Sequence, residues 1–346
     1  MLQAPGATVL TPTSLGLLLT ALPAERRAGA VKIWATTSSF AAALGPVAGG
    51  ALVELSWHWV FLINLPVGVV AFAGALRLVP ESRDDSITRL PDPLGAVVLA
   101  VALGLVKGDE WGWAGAATLA AFGAGVLGIA FLVARVLRHP APVVDPALFR
   151  VPAFAWANVT VLVFCTAFGA LFPSVVLWLE NVAGYSAIAT GVAILPGPLM
   201  VPIFAVVGQR LVRYLSVGRL VAVGNLVFCV GAVMLACNAS AQARFGTDIL
   251  PGWIVTGIGI GLALPSMLAA ATAGLPPARA ATGSAVVNTG RQLGYVLGVA
   301  VLVAALGTLD AGSGAGFRAA WWFIAGATAL GAVTALGLTP RASAGK

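Results

Sequence analysis

Apolar stretches long enough to cross a bilayer recur along the whole chain, and they settle its class before any single residue is considered. Eleven of them run over about residues 1–22, 29–53, 58–79, 94–109, 114–136, 153–179, 187–208, 219–238, 250–273, 281–306 and 319–338. The hydrocarbon core of a bilayer is about 30 Å thick and takes about 20 apolar residues of α-helix to span. Transmembrane strands would read instead as segments of about ten residues with alternating polarity, whereas these runs are long and continuous. Since 60% of residues are hydrophobic and only 9% charged, a soluble domain of ordinary composition is excluded. The expectation is an all-α polytopic membrane protein, with the lipid bilayer as its first partner.

A formal charge of +7 raises the question of nucleic acid, and the positions of the charges answer it. One alternate set of loops holds fifteen Lys and Arg residues, from Arg26 and Arg27 through Arg83, Arg138 and Arg213 to Lys346. The other set holds three, Lys107, Arg244 and Arg318. By the positive-inside rule this asymmetry makes the first set, and the C-terminus, cytoplasmic. No nucleic-acid partner is expected. Cys165, Cys229 and Cys237 all lie in apolar runs and the two histidines are far apart, so neither a disulfide framework nor a metal site is indicated. No nucleophile motif or Cys/His/Asp cluster points to an enzyme, and no cofactor is expected.

Two stretches stand out within the spans. In AAALGPVAGG, Ala41, Gly45 and Gly49 recur at i, i+4 and i+8, which strips one side of a helix of bulk and lets a neighbour approach. Pro46 interrupts that helix, because it has no N–H for the carbonyl four residues back. Further on, Asn288, Arg291, Gln292 and Tyr295 fall at i, i+3, i+4 and i+7, on one helical face. Gly290, Gly294 and Gly298 form a second, small face of the same helix. An arginine inside a span is costly and faces a bundle interior or a watery cavity. Two readings stay open for Arg291: it lines a substrate route, or it snorkels toward the cytoplasm and ties helices together through carbonyls. Carboxylates near membrane depth are few. Glu54 ends one span and Glu180 another, each either interfacial or a contact for a proton or cation, with Trp178 beside Glu180 offering a ring face.

The run Gly45-Pro46-Val47-Ala48-Gly49-Gly50 resembles the antiporter motif of the major facilitator superfamily. The stretch after it, Ser56-Trp57-His58-Trp59-Val60-Phe61-Leu62-Ile63-Asn64-Leu65-Pro66-Val67-Gly68, is similar to the next helix of the fourteen-helix drug:proton antiporters of the EmrB/QacA type. Asn288 to Gly294 resembles a signature of that family's thirteenth helix. The segment Gly208 to Arg219, with Arg210, Arg213 and Gly218, resembles a degenerate second copy of the superfamily's cytoplasmic basic loop; a plain positive-inside loop is the other reading. Leu2 to Leu15 resembles the family's fourth helix, so the resemblance implies major facilitator-type bundles with about 11 helices present of an expected 14, the first three lacking.

On that resemblance the chain divides into a remnant of the N-terminal bundle (1–80), a cytoplasmic linker (81–93), a two-helix insert (94–136), a second linker (137–152), a complete C-terminal six-helix bundle (153–340) and a cytoplasmic tail (341–346). The insert turns around Lys107 to Trp113, where charges and tryptophans mark an interface. The implied function is secondary active export of amphipathic organic compounds (drugs, antibiotics or dyes) by proton antiport, with alternating access about a midplane site. The implied location is a cell membrane, and richness in Ala, Gly, Val and Arg fits a GC-rich bacterial genome. The alternative is a truncated, non-transporting fragment or assembly element. The reading frame upstream of Met1 separates the two.

Overall fold

The computed structural model describes residues 44–78, 146–240, 244–273, 275, 277–307 and 314–338, together with single positions at 41 and between 115 and 130. All regular elements among the described residues are helical. They are α1 (Leu44–Leu55), α2 (Trp59–Leu62), α3 (Asn64–Leu78), α4 (Pro152–Asn181), α5 (Ala187–Ile194), α6 (Pro196–Leu211), α7 (Val217–Asn238), α8 (Leu250–Ala273), α9 (Pro277–Gly307) and α10 (Ala315–Ala335). A 3-10 turn at Pro146–Arg150 precedes α4 and a π turn at Phe245–Ile249 precedes α8.

Among the described residues, seven stretches are long and apolar enough to cross a bilayer: Trp59–Arg77, Pro152–Asn181, Ala187–Leu211, Val217–Asn238, Phe245–Ala271, Val286–Gly307 and Ala315–Leu338. They coincide with the runs expected from residues 58, 153, 187, 219, 250, 281 and 319. The expected spans at 1–22 and 94–109, nearly all of 114–136, the linker at 81–93 and the tail at 341–346 lie outside the described residues. Of the run at 29–53, α1 is the described part.

Prolines set the local interruptions. Pro66 has no N–H for the Leu62 carbonyl, and the run expected to continue from Trp59 divides at Ile63, where Asn64 Nδ2 donates to the Val60 carbonyl at 3.1 Å. Pro196 likewise has no N–H for the Val192 carbonyl. The Leu195 N–H takes that carbonyl at 3.3 Å, and the run divides between α5 and α6. At the start of α4, Pro152 occupies a first-turn position whose N–H has no helical partner anyway. At its far end Gly184 adopts φ +68°, so that the chain turns and the Tyr185 N–H reaches the Leu179 carbonyl at 2.9 Å.

The described residues fall into two compact units: those within Met1–Pro91 together with Ser186–Leu195, and those within Asp92–Tyr185 together with Pro196–Lys346. In the second unit α4 is the central post. Phe164, Phe168 and Phe172 stand one turn apart on it and meet Phe228 of α7 at 5.6 Å, Tyr295 of α9 at 5.7 Å and Trp253 of α8 at 6.1 Å. Such ring pairs are worth about 0.5–1.5 kcal/mol each beyond area burial. In lipid, where tails are as apolar as leucine, close packing of this kind holds helices together in place of a hydrophobic drive.

Glycines set the closest approaches. α8 has two small faces. On one, Gly252 and Gly259 lie against Gly231 and the Phe228 backbone of α7; on the other, Gly257 and Gly261 lie against the backbones of Gly197 and Val201 of α6. Neither face stands out in the sequence.

The top of α4 meets α10 through buried polar groups. Trp321 Nε1 donates to Ser174 Oγ at 2.8 Å, and Ser174 Oγ donates to the Leu171 carbonyl at 2.6 Å. Both side chains are fully buried. Ser174→Ala is expected to leave the indole N–H without an acceptor and to cost about 1–3 kcal/mol. Thermal unfolding of the purified full-length protein measures it, and an unchanged midpoint would show that the bond contributes nothing.

Candidate functional site

Two constellations predicted from the sequence take shape, one in each unit. In the first unit α1 and α5 cross backbone to backbone. A Cβ built on Gly50 would collide with the Ala187 carbonyl oxygen and lie 3.1 Å from Ile188 Cα; one built on Gly191 would lie 2.5 Å from the Pro46 carbonyl oxygen and 3.1 Å from Val47 Cα. Among the described residues, Gly45 and Gly49 have nothing within 4 Å of such an atom. The contact found here therefore runs through Pro46 and Gly50, about a residue's rotation from the face that the Ala41, Gly45, Gly49 spacing marks.

Glu54 closes the same crossing. Its Oε1 accepts the Ile188 N–H at 3.2 Å, while Ser186 Oγ accepts the Ala189 N–H at 3.3 Å. The first turn of a helix has four N–H groups without helical partners, and a carboxylate there also meets the positive end of the helix dipole. Glu54 thus caps a helix remote in sequence, a role that no local pattern announces. On the same helix Thr190 is buried, and its hydroxyl has no partner among the described residues.

The second constellation is the seam between α4 and α9. Its small face packs as expected at two of three positions. A Cβ on Gly294 would lie 2.7 Å from Cys165 Cβ and from the Leu162 carbonyl oxygen, and one on Gly298 would overlap the Thr166 carbonyl oxygen. At Gly290 the nearest described atom is Asn158 Oδ1, at 3.9 Å, so among the described residues the seam opens there. Of the polar face, Asn288, Arg291 and Tyr295 are half-buried and Gln292 is exposed. Arg291 Nη2 donates to Asn288 Oδ1 at 2.9 Å, and Arg291 Nε is buried without a hydrogen-bond partner among the described residues. Cys165 and Tyr295 both lie within electrostatic reach of the guanidinium. Leu293 and Leu297 are half-buried on the same helix.

Glu180 is exposed at the last turn of α4. Trp178, two residues earlier, is 0% exposed and packs 6.5 Å from Trp321. Its ring offers no face to a cation beside Glu180. In the basic segment α6 ends at Leu211 and α7 begins at Val217; Gly208 and Gly218 are buried while Arg210, Arg213 and Arg219 are exposed. Among the described residues there is no group of three His, Cys, Asp or Glu placed to hold a metal.

Comparison with known proteins agrees with this architecture. The chain is 30% identical over 315 residues to the methylenomycin A resistance protein of Streptomyces coelicolor, covering 87% of this chain and 64% of that one. It is 30% identical over 311 residues to the multidrug resistance protein Stp of Mycobacterium tuberculosis (87% and 56%). It is 32% identical over 312 residues to the tetracenomycin C resistance and export protein of Streptomyces glaucescens (87% and 57%). The chain thus spans somewhat more than half the length of these relatives. The profile of the Major Facilitator Superfamily matches residues 1–299. With long apolar helices throughout its described residues and a match over most of its length, this multi-pass membrane chain belongs to the Major Facilitator Superfamily.

Proposed function

We propose that this chain acts in a proton-driven exporter of amphipathic organic compounds (drugs, antibiotics or dyes), of the fourteen-helix EmrB/QacA type, in a bacterial cell membrane. The observation that carries the reading is Arg291: a guanidinium held half-buried within a span, at a cost of several kcal/mol, beside a helix seam that opens at Gly290. The names of the relatives, which are resistance and export proteins, support the same class. In this reading Asn288, Arg291, Gln292 and Tyr295 line the substrate route. The crossing of Pro46 and Gly50 with α5 forms and parts during alternating access, and Glu54 and Glu180 are the candidate proton contacts. The driving force is the proton gradient, with no bound cofactor. The basic segment from Gly208 to Arg219 and the C-terminus lie in the cytoplasm.

Inverted membrane vesicles containing the full-length protein test the function. Under an imposed proton gradient they are expected to accumulate ethidium and to lose the uptake when a protonophore is added. Uptake no greater than in vesicles without the protein sinks the proposal. Orientation has its own check: a reporter fused after Arg213 is expected to be cytoplasmic and one at Asp109 external, and the reverse pair would invert the topology.

A further inference from the structure

The charge balance of the α4/α9 seam bears on which compounds Arg291 meets. A guanidinium stays protonated in a protein, and holding it in a partly desolvated place without a counter-charge is unfavourable. Its one described hydrogen bond runs to Asn288, three residues earlier on the same helix. The bond orients the fork and does not tie α9 to a neighbour, so the helix-tying reading of Arg291 has no support among the described residues. The Nε–H is buried and unsatisfied.

Within this unit no described carboxylate is placed to neutralise it. Between Pro152 and Leu338 the described acidic residues are Glu180 and Asp248. Glu180 stands fifteen residues beyond Cys165 on α4, a helical rise of about 22 Å. Asp248 is engaged at the π turn, where its Oδ2 accepts the Arg244 N–H at 2.8 Å. Among the described residues of this unit the seam therefore presents a positive fork with no partner charge. One turn along α9, the Tyr295 ring packs on Phe168 and supplies an aromatic surface beside the charge.

We infer that Arg291 receives the acid group of an anionic aromatic substrate. A carboxylate accepts from the Nη donors that Asn288 leaves free, and the ring of the substrate lies against the Phe168/Tyr295 pair. The arrangement favours bidentate, charge-assisted bonds, the strongest that a guanidinium makes. The inference rests on the exporter reading, and it narrows the substrate class from amphipathic compounds in general to those with a negative head.

Three probes sharing one ring system test it on the purified full-length protein: 1-naphthaleneacetate, 1-naphthaleneacetamide and 1-naphthylmethylammonium, compared by equilibrium dialysis at neutral pH. The acetate is expected to bind about tenfold or more tighter than the amide, the range of a hydrogen bond to a charged group, and the ammonium weakest. Arg291→Gln should bring the acetate-to-amide ratio to about one, with the acetate losing far more affinity than the amide. Arg291→Lys should keep part of the preference, since an ammonium retains charge but not the fork.

Equal binding of acetate and amide by the unaltered protein, tightest binding of the ammonium, or a preference that survives Arg291→Gln would each overturn the inference. If Arg291→Gln does not fold, the unaltered protein and the Lys variant still decide it. Transport of the same probes into energised inverted vesicles separates this inference from the exporter reading. Arg291-dependent acetate binding with no probe transported leaves the inference standing and removes the exporter. Transport of the amide or ammonium with no carboxylate preference does the opposite.

Discussion

On the proposed exporter function, Gly50→Leu is expected to abolish dye export by the full-length protein while leaving it inserted in the membrane. The Cβ alone would fall on the Ala187 carbonyl oxygen, with Ala187 C at 2.9 Å and Ile188 Cα at 3.1 Å. These are backbone atoms and have no rotamer to move to. Overpacking of a well-packed site costs about 1–3 kcal/mol, occasionally more, and here the strain falls on the state in which α1 and α5 cross. Even Gly50→Ala should slow export severalfold, whereas Gly49→Ala, with nothing described within 4 Å, should not. The measurement is dye efflux normalised to membrane-inserted protein. Export by Gly50→Leu at the unaltered rate would show that this crossing is no part of the transport cycle.

The second large effect is on folding and separates two glycines of one stripe. Gly298→Val is expected to drive α4 and α9 apart, because a Cβ there overlaps the Thr166 carbonyl oxygen and lies 2.7 Å from the Ala170 nitrogen. A cost of about 1–3 kcal/mol corresponds to a drop of roughly 2–12 °C in the unfolding midpoint for a unit of this size. Gly290→Ala should have the opposite sign or none. Its nearest neighbour is Asn158 Oδ1 at 3.9 Å, and alanine in place of glycine favours a helix by about 1 kcal/mol. Thermal unfolding followed by tryptophan fluorescence reads both. Equal losses from the two substitutions would mean that the whole stripe packs uniformly.

The two effects show how far a sequence pattern reaches. Apolar length identified all seven described spans, since desolvation of the backbone acts on every residue of a helix alike. Glycine spacing identified the α4/α9 seam but not its opening at Gly290, which depends on what stands opposite. In α1 the spacing marked Gly45 and Gly49, whereas the described contact uses Gly50. Adjacent helical residues differ by about 100° in direction, and the pattern of one helix does not say where its partner lies. The faces of α8 were illegible for a related reason: Gly252 and Gly259 serve one neighbour while Gly257 and Gly261 serve another, so the two spacings overlay each other in the sequence. Of the polar residues, Arg291 announced itself by its cost. The capping role of Glu54 depends on a helix more than a hundred residues away, and the turn of Trp178 into the interior depends on Trp321. Neither is written in the local sequence.

The two small faces of α8 have a mechanical consequence. Where side chains separate two helices, a displacement is absorbed as rotamers readjust. Between α6, α8 and α7 the glycine positions remove that cushion, and main chain rests directly on main chain. The three helices should then behave as one stiff lever and not as a spring. A load applied to α6 reaches α7 with little loss, and backbone amides at the centre of α8 should be among the slowest in the protein to exchange with deuterium.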